Sequence, residues 1–295
     1  MASERFEKLR AAIARNMAGA PSDRESMRKG MAMAAMPLPE GVAGEAVEAN
    51  GVPCEWQTPA GAGPGVILYV HGGGYVAGSI ASHRNLTGHL AAASGCRVLS
   101  VDYRLAPEHP HPAQVQDAVS AYRWLLDQGI SPANIAVSGD SAGGGLAVAT
   151  QLAIKAEGLP LPAASVPISP WVDMSASGES FTTRADVDPM VSGDNISQIA
   201  GNFLGPDGDP NDPLASPVLG DLAGLPPMLI QVGDHEVLLS DSQALAAAAQ
   251  AAGVAVDLRV WPEMIHVWHS LAGMCEEADA AIAEAAAFIS THLEG

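Results

Sequence analysis

The stretch IAVSGDSAGGGLAVATQLAIKA, residues 135–156, opens as a short apolar run and continues as a helical pattern after a glycine-rich turn. At the join stands Gly139-Asp140-Ser141-Ala142-Gly143, a GxSxG pentapeptide. A serine on so sharp a strand-to-helix bend projects its hydroxyl from the top of a sheet, and glycines two positions to either side let strand and helix approach closely. The helix that follows turns backbone N–H groups and a positive dipole end toward negative charge developing near that hydroxyl. A nucleophile elbow is therefore expected at Ser141.

Apolar runs of the same kind recur on both sides: VILYV at 66–70, RVLSV at 97–101, SVPIS at 165–169, MLIQV at 228–232 and DLRVW at 257–261. Lacking strict alternation, they fit strands buried on both faces, as parallel sheets require. Helical patterns lie between them at 113–128, 142–157, 241–252 and 276–293. The first places Val115, Val119, Tyr122 and Leu126 three and four apart, and the last puts Ala278, Ile282, Ala285, Ile289 and Leu293 on one stripe. Such alternation predicts an α/β fold, a mostly parallel central sheet with helices on both faces. Residues 41–176 and 214–295 are read as one such domain. Two segments break the rhythm. Residues 1–40 read as an amphipathic helix with a Met-rich connector, and residues 177–213 hold a short helix at 192–204 before turns. Both are expected to fold back as a small helical cap over the C-terminal edge of the sheet, where α/β folds bind ligands.

The chain has 295 residues and a formal charge of −19. That charge repels nucleic acid and anionic membrane surfaces, and excludes both as partners. Cys54, Cys96 and Cys275 are an odd, widely spaced set without a CxxC, so they are read as free buried thiols in a reducing compartment. The N-terminus lacks the uninterrupted apolar stretch of a signal peptide, and no segment reaches 18 apolar residues. A cytoplasmic protein without membrane insertion is expected.

A second chemical signal is His71-Gly72-Gly73-Gly74, directly after VILYV. Three consecutive glycines free the backbone to aim N–H donors inward, as an oxyanion hole requires. A phosphate cradle is disfavoured, because Ala77 breaks the GxGxxG pattern and no P-loop lysine follows. A hydroxyl nucleophile needs a base held by a carboxylate, and in this fold the order is Ser, acid, His. The acid can be Asp234, Glu236 or Asp241, and the base His266 or His269. Spacing alone separates neither Asp234 from Glu236 nor His266 from His269.

HGGGYVAGS at 71–79, YRLAPEHPHPA at 103–113, GDSAGGGLA at 139–147, SPWVD at 169–173 and LASPVLGDLAGLPPMLIQVG at 214–233 resemble the bacterial hormone-sensitive-lipase-like esterases. The blocks stand in that family's order, from about residue 30 to residue 293. The resemblance implies an α/β-hydrolase fold and a triad of Ser141, Glu236 and His266, through Glu236-Val237-Leu238 and His266-Val267-Trp268. It also implies an oxyanion hole from the amides of Gly72, Gly73 and Ala142. The family's acid is more often Asp, so Glu236 is a departure and Asp234 its rival. The implied activity is hydrolysis of small-molecule esters with short to medium acyl chains, without cofactor or metal, in a homodimer joined through an exposed sheet edge. Phe203 and Leu204 of the cap are expected to touch substrate. The same triad would serve an amidase, lactonase or arylformamidase. A ligand receptor on a disabled hydrolase would require a missing triad residue.

Other conspicuous residues carry plainer expectations. Glu108, His109 and His111 are interleaved with Pro107, Pro110 and Pro112 and are read as a structural loop, not a metal site. Residues 207–213 lack the Gly and Glu of a calcium loop and are read as turns. Asp140 is expected to hold neighbouring loops, Trp171 and Trp268 to pack near the site, and Asp102 and Asp173 to be architectural.

Overall fold

Alternate residues of the strand Val66–Val70 enter two different cores: Val66, Leu68 and Val70 one, Ile67 and Tyr69 the other. The computed structural model, which describes residues 2–19 and 23–294, shows why so uniformly apolar a run is needed here: this strand lies inside an eight-stranded sheet with helices on both sides. The strands are β1 (Val42–Ala49), β2 (Val52–Pro59), β3 (Val66–Val70), β4 (Arg97–Val101), β5 (Ile135–Asp140), β6 (Ala164–Ile168), β7 (Met228–Gly233) and β8 (Val256–Trp261). The helices are α1 (Glu4–Met17), α2 (Arg24–Met33), α3 (Ile80–Ser94), α4 (Ala113–Asp127), α5 (Ala142–Ala156), α6 (Ser180–Thr183), α7 (Gly193–Leu204), α8 (Leu239–Ala251) and α9 (Glu276–His292).

The sheet order is β1-β2-β4-β3-β5-β6-β7-β8. From β4 to β8 all neighbours are parallel, and β1 and β2 close one edge as an antiparallel hairpin. The first core holds Val115, Val119 and Tyr122 of α4 with Leu146 and Ala149 of α5, and the second Leu86 and Leu90 of α3 with Ile282, Ala285 and Ile289 of α9. All six apolar runs read from the sequence are strands, displaced by one residue at most at their starts. The hairpin β1–β2 and helix α3 are additions to that reading. The hairpin has little apolar character in VAGEAVEA, but its turn, Asn50-Gly51, has φ of 50° and 86°, the double positive φ a two-residue hairpin turn demands.

The two segments that break the rhythm form α1, α2, α6 and α7. Phe6 of α1 is fully buried against Met264, Ile265 and Trp268. Met27 and Met31 of α2, with Ile199 of α7, pack on Val76, Ala77 and Ala106. Ile196, Ala200 and Phe203 form the inward stripe of α7. No helix among the described residues is long and apolar enough to cross a membrane.

Candidate active site

The C-terminal ends of β3, β5, β6, β7 and β8 converge on one edge of the sheet, and each delivers one part of the site. At the end of β5 the chain reverses into α5 through Ser141, whose φ of 56° and ψ of −123° are strained for a side-chain-bearing residue. The flanking glycines make the bend possible. A Cβ on Gly143 would lie 2.1 Å from the Val70 carbonyl oxygen, and one on Gly139 would lie 2.4 Å from both the Val70 and Gly143 oxygens.

The turn after β7 carries Glu236 and the loop after β8 carries His266. His266 Nε2 lies 2.9 Å from Ser141 Oγ, and His266 Nδ1 lies 2.7 Å from Glu236 Oε2. Since a carboxylate only accepts, Nδ1 carries the proton and donates to Glu236, which leaves Nε2 bare to accept from the serine hydroxyl. Burial opposes the charged imidazolium. The Glu236 hydrogen bond and charge, aided by Asp188 and Asp140, outweigh it and raise the His266 pKa above the ordinary histidine value. Glu236 is fully buried, and its Oε1 accepts from Gly233 N at 2.6 Å and Ser169 Oγ at 2.8 Å.

The rivals stand elsewhere. Asp234 accepts from Glu263 N, while its backbone carbonyl accepts from Arg184 Nε. His269 is buried with Nε2 3.0 Å from Gln231 Oε1, and burial lowers its pKa to about 3. Asp241 accepts from the amides of Val172 and Asp173.

The loop after β3 departs from expectation at one atom. Gly72 N donates to Asp140 Oδ1 at 3.1 Å, so this amide is engaged within the protein and leaves the expected set of oxyanion donors. Among the described residues, the amides of Gly73 and Gly74 have no protein acceptor. Ala142, the first residue of α5, presents the amide of an open helix end beside Ser141. Asp140 is the anchor. It also accepts from Tyr69 OH at 2.7 Å and faces His83 Nε2 at 3.3 Å. Burial would raise its pKa, but His83 and Tyr69 bring it down to about 2, and reciprocally Asp140 raises His83 against burial. His71 stacks between Tyr103 and His83, at 4.3 Å and 5.3 Å, and burial holds it neutral with a pKa of about 3.

Of the two α7 residues expected to touch substrate, Phe203 is fully buried. It stacks on Tyr75 at 3.8 Å, and Tyr75 in turn lies 6.0 Å from Trp171. Leu204 is half-buried at the end of the same helix. Ile199, which the sequence did not single out, overhangs Gly74: a Cβ there would meet its Cγ2 at 2.7 Å. Trp268 packs with Trp261, and His111 pairs with Asp212 at 2.9 Å. Among the described residues no group of three or more His, Cys, Asp and Glu side chains is placed to hold a metal.

A strained serine between a parallel strand and a helix, with imidazole and carboxylate from later strand ends, defines an α/β hydrolase. The comparisons agree. A family model described as the alpha/beta hydrolase fold matches residues 67–270. An acetyl-hydrolase from Streptomyces hygroscopicus is 47% identical over 248 residues, covering 84% of this chain and 83% of its own length. The crystal structure of an esterase from the bacterial hormone-sensitive lipase family aligns with a TM-score of 0.94 at 47% identity, covering 100% of both chains. The crystal structure of EstE5 soaked with p-nitrophenyl butyrate aligns with a TM-score of 0.95 at 44% identity over 99% of each chain. The chain belongs to the α/β-hydrolase fold family and, within it, to the esterases of the bacterial hormone-sensitive-lipase type.

Proposed function

We propose that this protein hydrolyses carboxylic esters with short to medium acyl chains through a covalent acyl-enzyme. The observation that carries the reading is the unbroken chain of hydrogen bonds from Ser141 through His266 to Glu236. His266 Nε2 takes the hydroxyl proton as Ser141 Oγ bonds to the ester carbonyl carbon. The tetrahedral oxyanion is met by the amides of Gly73, Gly74 and Ala142. As it collapses, the alcohol leaves with the proton from Nε2. Water, deprotonated by the same imidazole, then releases the acid and restores Ser141. Glu236 holds the tautomer and stabilises the imidazolium. No metal or redox group takes part in these steps.

Helices α1, α2, α6 and α7 act as the cap over this edge. Ile199 and Leu204 bound the substrate, and Phe203 backs that wall through Tyr75. The enzyme works in the cytoplasm, where its three free buried thiols stay reduced. It dimerises through the edge strand β8, whose Val260 is 40% exposed; sedimentation velocity reads that assembly. Ser141→Ala should lower hydrolysis of nitrophenyl esters by several orders of magnitude, and a series from acetate to palmitate should peak at short to medium chains. Retention of a tenth of the native rate would refute the reading.

A further inference from the structure

A glutamate has enough rotatable bonds to present either carboxylate oxygen to its neighbour, so something must decide which one faces His266. Ser169, at the end of β6, is fully buried and out of reach of substrate. Its Oγ donates to Glu236 Oε1 at 2.8 Å, the oxygen that does not touch the imidazole. The same Oγ accepts from the amide of Val267, the residue directly after His266, at 3.3 Å. One hydroxyl therefore touches both the acid's side chain and the base's backbone. Ser169 and Val267 both hold left-handed conformations, with φ of 43° and 48°. Such bends are costly for residues with side chains and persist where surrounding bonds over-determine the geometry. Ser169 is fixed further by its amide, which donates to the Gln231 carbonyl at 2.7 Å on β7.

We propose that Ser169 is a positioning residue of the hydrolytic machinery, its hydroxyl locking the Glu236 carboxylate in one orientation and tying that carboxylate to the loop that carries His266. This rests on the Ser141–His266–Glu236 reading above. Without the hydroxyl, Glu236 Oε1 keeps only Gly233 N, the carboxylate rotates more freely, and the His266 loop loses its anchor.

The test compares Ser169→Ala, Ser169→Gly, Glu236→Ala and the double variant Ser169→Ala/Glu236→Ala by kcat, KM and pH profile. Glycine removes the hydroxyl while relaxing the left-handed backbone, so it folds even if alanine does not. Both single variants at position 169 should lower kcat about tenfold, with KM within about twofold of native. They should also move the acid limb of the profile to lower pH, because a misaligned carboxylate supports the imidazolium less. In the Glu236→Ala background the added Ser169→Ala change should cost less than about twofold, since the group it acts through is gone. Native-like kcat in both Ser169 variants, or the same tenfold loss with and without Glu236, would overturn the role of Ser169 alone. Native kcat in Glu236→Ala would instead overturn the underlying triad.

Discussion

Replacing Asp140 probes the buried carboxylate that ties the glycine loop and α3 to the nucleophile turn. Asp140 is 3% exposed and meets Tyr69 OH, Gly72 N and His83. Holding a carboxyl at about 2 instead of its ordinary value near 3.9 corresponds to about 2–3 kcal/mol of stability. Asp140→Asn preserves shape: its amide oxygen still accepts from Tyr69 and Gly72, and its NH2 can donate to a neutral His83. The expected loss is therefore the charge contribution, about 2–3 kcal/mol. Asp140→Ala removes every partner and should cost about 3–5 kcal/mol. The pH dependence gives the sharper signature. The Asp140 contribution is present above the ordinary carboxyl value and disappears as pH falls through its depressed folded value. His83, raised in the folded state, contributes below the ordinary histidine value near 6.5 and loses that contribution as pH climbs through its folded value. The gap between native and Asp140→Asn should thus be widest between about pH 4 and 6.5. Urea unfolding at about pH 5.5 and about pH 9 measures it. A gap of the same size at both, or none at either, would refute the charged pair.

Two further outcomes follow from the same rim. Gly143→Ala would push a Cβ to 2.1 Å from the Val70 oxygen and 2.5 Å from the His71 oxygen, both backbone atoms unable to give way. A destabilisation of about 3 kcal/mol or more should appear as lost soluble yield or a lowered melting point, and a native-like melt would contradict the packing. His266 must be neutral to accept a proton, so kcat/KM should fall as pH drops through a value above the ordinary one near 6.5. Glu236→Gln should move that limb downward, and an unmoved limb would remove Glu236 from the pair.

How much was legible in the sequence depended on how local the signal was. The elbow at 139–143 and the loop at 71–74 are contiguous and sit on strongly apolar strands, so motif and periodicity agree. Glu236 and His266 were ambiguous by spacing because Asp234 and His269 lie within three residues of them; the family resemblance selected one of each, and the pairings of His266 with Ser141 and with Glu236, 125 and 30 positions apart, are legible only in three dimensions. Helix α3 escaped notice because its inner face carries buried His83, Asn85 and Thr87, which blur the apolar stripe. The three glycines of the 71–74 loop look equivalent in the sequence, and only the fold shows that the Gly72 amide donates to Asp140. Ser169 gave no chemical sign in SPWVD, because its partners Glu236 and Val267 are 67 and 98 positions away.

Tyr75, Ser141, Ser169 and Val267 all have left-handed φ, and all four lie in the segments that leave the C-terminal ends of β3, β5, β6 and β8. Any search for a sturdier version of this enzyme will find glycine attractive at these bends, since relief of backbone tension lies there. Each such gain would loosen a hydroxyl, an imidazole or an aromatic wall from its appointed place. Toughness and turnover thus compete for the same few dihedral angles, and hardening is better sought in β1 and the outer helix faces.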